Sequence, residues 1–177
     1  MNWIERAEPR ALEFAVCIVN QRTYAPADAL KQDADIHRAY NSKMAEAFAA
    51  DSFWPGEGER HISFSADAPD GGVDFVIPNS YGPAKSVDVK WTPHPDARKL
   101  IVNDGKLDRL PDYLIAVSGP EPRLFHGRGW CSGTWFRMMS RPTGDPRGGR
   151  YVALADLCPI FMLLRQFVAS GQHEAAL

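Results

Sequence analysis

Apolar residues recur at helical spacing near the start of the chain. Leu12, Val16 and Val19 predict a helix over residues 9–24, with Pro9 in its first turn, where a missing N–H costs nothing. A second helix is predicted from an N-cap at Asp33. Ile36, Tyr40, Met44, Ala47 and Phe48 form one stripe, which ends near Trp54-Pro55-Gly56. At about 100° per residue, Glu46 falls at the edge of that stripe rather than opposite it.

The period then changes. Residues 61–65 and 73–77 alternate apolar and polar, and so, after the turn-rich segment 78–83, do residues 87–91. Two alternating runs around a short turn predict a hairpin. Residues 100–102, 113–117 and 124–126 supply further strand candidates between glycines and prolines, and residues 157–169 predict a last helix burying Ile160, Leu163, Leu164, Phe167 and Val168. Helices, then strands, then a helix, without repeat or linker, predict an α+β or mixed α/β fold. It forms a single domain over residues 1–177, with its core at about 33–168.

Composition narrows the class. The 177 residues are 45% hydrophobic and 24% charged, the range of one globular domain, and 14 Gly with 14 Pro predict many turns and few helices. The longest mainly apolar run, residues 154–169, is broken by Asp156, Pro159 and Arg165 and falls short of the roughly 20 residues of a membrane span, so a soluble protein is expected. Residues 1–13 carry three glutamates and no apolar leader segment, and Cys17, Cys131 and Cys158 are scattered. A reducing cytosolic compartment is the simplest expectation. The net charge of −2 divides into −6 over residues 1–74 and +4 over residues 75–177, so a basic C-terminal half can face phosphates.

Chemistry concentrates on the predicted hairpin. Val87, Val89 and Trp91 share one face of their strand, so Asp88 and Lys90 project together from the other. On the preceding strand Val73, Phe75 and Ile77 point one way and Asp74 the other, and a suitable register sets Asp74 beside Asp88. Two carboxylates held close raise each other's pKa and are relieved by a divalent cation. Glu46, from the covering helix, adds a third hard oxygen ligand.

Asp74, then thirteen residues, then Asp88-Val89-Lys90, with Glu46 on an upstream helix, resembles the PD-(D/E)XK nuclease superfamily. Residues 112–117, then Gly129-Trp130, then 154–159 before a helix, resemble in their order its small phage and mobile-element members, over residues 33–168 in all. Val73 stands where that family's first motif has proline, and Asp88 where Glu is commoner. A second such tripeptide, Asp104-Gly105-Lys106, reads as a turn. The resemblance implies a restriction-endonuclease-like core with a mixed central sheet flanked by helices, and hydrolysis of DNA phosphodiester bonds. It implies Mg²⁺, replaceable by Mn²⁺, on Asp74, Asp88, the Val89 carbonyl and Glu46. Lys90 would orient the attacking water. The alternative is a catalytically silent nuclease-like fold that binds nucleic acid or protein.

Elsewhere, Arg137, Arg141, Arg147 and Arg150 with Gly144, Gly148 and Gly149 predict a flexible basic loop able to track a phosphate backbone. His61, His94 and His126 are scattered, and Cys131 with His126 lacks an orienting acid for a nucleophile pair. Trp91, Trp130 and Trp135 read as packing residues before stacking platforms. The substrate form and any homo-oligomer are left open.

Overall fold

Two long helices lie antiparallel at the start of the chain in a computed structural model, which describes residues 2–65, 73–79, 82–146 and 148–171. Helix α1 (Trp3–Asn20) begins earlier than the apolar spacing predicts. Asn2 and Glu5 form a capping box, each side chain accepting the other's backbone N–H at 3.0 Å. Pro9 is therefore inside the helix rather than in its first turn. The inward stripe is Ala7, Ala11, Ala15 and Val19, while Leu12 and Val16 remain exposed. Alanine every fourth residue lets α2 (Ala29–Phe53) pack close. Helix α2 also starts before its predicted cap. A 3₁₀ turn, Pro26–Asp28, feeds straight into it, and its first turn buries nothing, Leu30 being 86% exposed.

Residues 61–65 form no strand. The 3₁₀ turn Gly58–His61 folds back on the helix pair, with Trp54 stacked on His61, Glu59 paired with Arg6 at 3.0 Å, and Ile62 buried. The hairpin follows as predicted, with β1 (Phe75–Ile77) antiparallel to β2 (Lys85–Thr92). Next come β3 (Lys99–Val102), β4 (Tyr113–Ser118) and β5 (His126–Ser132). Leu124 and Phe125 precede β5 rather than belonging to a strand. The main sheet has the order β1-β2-β4-β5, with β2 and β4 parallel and the outer pairs antiparallel, so it is mixed.

A second sheet, unforeseen in the sequence, joins β3 to two strands that follow α3 (Gly133–Met139). It has the order β3-β7-β6, made with β6 (Arg141–Pro142) and β7 (Arg150–Ala153). Helix α4 (Ile160–Gly171) closes the described chain and buries Leu163, while Ile160 and Leu164 are half-buried. The side chains of Phe167 and Val168 lie outside the described residues. The expectation of few helices is corrected by α1 and α2, which run 18 and 25 residues.

The main sheet separates two cores. On one face Val87, Val89, Ile115 and Val117 meet Met44, Ala47 and Ala50 of α2. On the other, Leu114 and Ala116 meet Leu100, Val102 and Val152 of the second sheet, with Phe136 of α3. Among the described residues no helix is long and apolar enough to cross a membrane.

Candidate active site

The β1–β2 ladder stops short. Its last pair is Phe75 with Val87, and β2 runs on to Thr92 with β4 as its ladder partner. Continuing the register sets Asp74 opposite Asp88. Here the edge of β2 is opened, and the Asp74 side chain takes over the missing ladder contact: its Oδ2 accepts the Val89 N–H at 2.6 Å, while its own N–H donates to Val87 O at 2.8 Å.

Asp88 and Lys90 project from one face of β2, as the alternation predicts, and Lys90 Nζ contacts Asp88 Oδ2 in an ion pair. Their ladder partners Leu114 and Ala116 share that face, so the pair points toward the second sheet. Glu46 comes from α2, on the opposite side of the sheet. It is buried, 7% exposed, and accepts from Lys43 Nζ at 2.5 Å. Lys43 is equally buried and stands 4.7 Å from the Phe14 ring centroid on α1. The groups on the two faces lie within electrostatic reach of one another. The sequence reading omitted Lys43, whose only local sign is its i, i+3 spacing to Glu46, the spacing of any surface helix pair.

The charges act on one another. Burial raises Asp74 most, the Asp88 carboxylate adds to it, and the Val89 N–H, Lys90 and Lys43 oppose; the balance lies at about 7. Burial likewise pushes Glu46 well above the ordinary carboxylate range; Asp74 and, less, Asp88 add to it, and Lys43 opposes through its charge and its hydrogen bond. Three carboxylates and two lysines therefore form one electrostatic unit.

Hard oxygens repelling one another in a half-dry site suit a divalent cation in type. Each of the three carboxylates spends one oxygen on its partner, and the other makes no hydrogen bond among the described residues. In placement the site is closed on its lysines: among the described residues no three His, Cys, Asp or Glu side chains are grouped to hold a metal ion. A cation entering here competes with Lys43 for Glu46 and with Lys90 for Asp88.

The remaining candidates separate from this site. Arg137, Arg141 and Arg150 belong to three elements, α3, β6 and β7, so the predicted flexible loop is in fact a helix and a β-hairpin; Arg147 lies outside the described residues. Arg137 donates to Leu107 O at 2.9 Å. Arg150 holds Ser140 through its Oγ at 2.8 Å and its carbonyl. Asp104 and Lys106 sit in an exposed 3₁₀ turn, Asp104–Arg109. Burial pushes the Cys131 thiol up to about 12, which leaves no thiolate for a nucleophile. Trp91 and Trp130 donate their indole N–H groups to Gly119 O at 2.9 Å and Pro159 O at 3.1 Å, as packing residues do.

Comparison of the chain with models of known protein families, with curated proteins and with solved structures finds no match.

Proposed function

We propose that the chain is a divalent-metal-dependent nuclease that hydrolyses phosphodiester bonds of DNA. The observation that carries this reading is that Asp74, Asp88 and Lys90 sit together at the open edge of β2, with Glu46 of α2 within electrostatic reach. The hairpin, the parallel β2–β4 pair and the helix covering the sheet support a restriction-endonuclease-like core of the kind the PD-(D/E)XK resemblance implies.

On this reading Asp74, Asp88, Glu46 and the Val89 carbonyl would hold Mg²⁺ or Mn²⁺. A bound divalent cation supplies an acidified water and a clamp on a non-bridging phosphate oxygen. The rest is done by the chain. The Val89 N–H fixes the rotamer of Asp74, and Lys43 holds Glu46 on the buried face of α2. Lys90, paired with Asp88 on the same face of β2, would orient the attacking water and offset charge developing on phosphorus.

One observation favours the second reading, a silent nuclease-like fold. Two of the three carboxylates are already neutralised by an internal lysine. Incubation with plasmid and with a single-stranded oligonucleotide, in Mn²⁺ and in chelator, decides between them. Cleavage in Mn²⁺ alone supports the nuclease, whereas binding without cleavage under both conditions leaves the silent fold.

A further inference from the structure

Lys43 and Glu46 are a buried ion pair, each 7% exposed, with Lys43 Nζ 2.5 Å from Glu46 Oε2 and 4.7 Å from the centroid of the Phe14 ring. Replacing such a pair by apolar residues of similar volume is often neutral or stabilising, so the fold alone does not account for a charge at Lys43. Holding Glu46 in place does not account for it either, because a neutral donor does the same. The charge also reaches beyond its partner: it opposes the rise of Asp74, on the strand side of the site.

The oxygens of the site divide evenly. Asp74 Oδ2 accepts the Val89 N–H, Asp88 Oδ2 is paired with Lys90, and Glu46 Oε2 with Lys43. One oxygen of each carboxylate is left without a hydrogen bond among the described residues, and with the Val89 carbonyl these are the four protein ligands of the proposed set. Four ligands and water complete the shell of one six-coordinate ion. A second ion about 3.5–4 Å from the first would need the oxygens that Val89, Lys90 and Lys43 already hold. Charge gives the same count. With every group ionised, three carboxylates and two ammonium groups leave one negative charge, which a single divalent ion more than offsets. A second would leave the site strongly positive where burial penalises charge.

We propose that Lys43 is a built-in second cation: its ammonium holds the Glu46 oxygen that a second metal ion would take, so the site binds one divalent ion per chain. That a divalent ion belongs here at all rests on the nuclease reading; how many the site takes, and what Lys43 does to that number, does not rest on cleavage.

The test is calorimetric titration of Mn²⁺ into the full chain without nucleic acid, for wild type, Lys43→Gln and Lys43→Arg. Paramagnetic resonance of the free ion counts bound Mn²⁺ independently, and thermal melts confirm that each protein is folded. Glutamine keeps a donor for Glu46 and drops the charge, whereas arginine keeps both, so a purely structural role separates from a role of the charge. The expected result is one Mn²⁺ per chain for wild type and for Lys43→Arg. Lys43→Gln should bind the first ion about tenfold or more tightly, since a repelling charge has gone, and take up a second at millimolar concentration. A wild type that binds two ions overturns the proposal whether or not the variants fold. Lys43→Gln with the stoichiometry and affinity of wild type overturns it, and so does Lys43→Arg that takes up a second ion. The two readings fail separately. Wild type that binds one Mn²⁺, with the variants as expected, yet cuts neither plasmid nor single-stranded DNA contradicts the nuclease alone. Wild type that cuts with two ions bound contradicts the role of Lys43 alone, and wild type that binds no Mn²⁺ overturns both.

Discussion

The Asp74 carboxylate stands in for a strand: its Oδ2 accepts the Val89 N–H at 2.6 Å, two residues past Val87, where β2 stops pairing with β1. A side chain thereby satisfies a backbone donor that the ladder would otherwise have used. The edge stays open without leaving an orphan, and the same contact holds Asp74 against Asp88 in spite of their repulsion.

That repulsion predicts a pH dependence. Burial and Asp88 raise Asp74 from 3.8 to about 7, so between those values the folded chain keeps a proton that the unfolded chain has released. The stabilisation is present at low pH and is lost as pH rises through about 7. In urea unfolding without metal, wild type is expected to lose on the order of 2 kcal/mol relative to Asp74→Asn between pH 5 and pH 8. The asparagine keeps an acceptor for Val89 and does not titrate. Parallel pH profiles of the two proteins would contradict the assignment.

The buried Lys43–Glu46 pair makes a second prediction. Lys43→Met leaves a buried carboxylate without its partner and is expected to cost about 3–5 kcal/mol where Glu46 is ionised, and less as pH falls and Glu46 takes up a proton. The double variant K43M/E46Q should recover most of that loss in the same denaturant titrations. Equal losses in single and double variants would show that the pair is not coupled.

Arg150 and Arg141 should part company. Arg150 ties β7 to Ser140 through two contacts, so Arg150→Ala is expected to lower stability by about 1.5 kcal/mol and Tm by roughly 3–6 °C. Arg141 is exposed, and Arg141→Ala should stay within about 0.5 kcal/mol of wild type. Calorimetric melts of both variants check this, and an unchanged Arg150→Ala melt would remove the structural role given to it here.

The hairpin and its polar face were legible because both depend on local rules: a period of two fixes the face of Asp88 and Lys90. The register that brings Asp74 opposite was open in the sequence, because seven residues separate the two strands. Long-range packing was not legible. The inward stripe of α1 is alanine, which carries little hydrophobic contrast, so Leu12 and Val16 misled. Strand β6 has two residues, one of them Pro142, and β7 reaches back to β3 across four intervening elements, so nothing local announces the second sheet. Lys43 is buried because α1 presents Phe14 to it, a contact between helices that neither helix encodes alone.

Calorimetric titration of Mn²⁺ into wild type, Asp88→Ala and Lys90→Ala, beside cleavage of plasmid and single-stranded DNA, tests the proposed nuclease activity most directly. Losing Asp88 removes a ligand, so affinity for Mn²⁺ should fall and excess cation should partly restore cleavage. Losing Lys90 removes a charge that competes with the cation in the resting site and acts in the transition state, so Mn²⁺ should bind more tightly while cleavage collapses. A wild type that binds no Mn²⁺ at millimolar concentration and cuts neither substrate would contradict the nuclease reading.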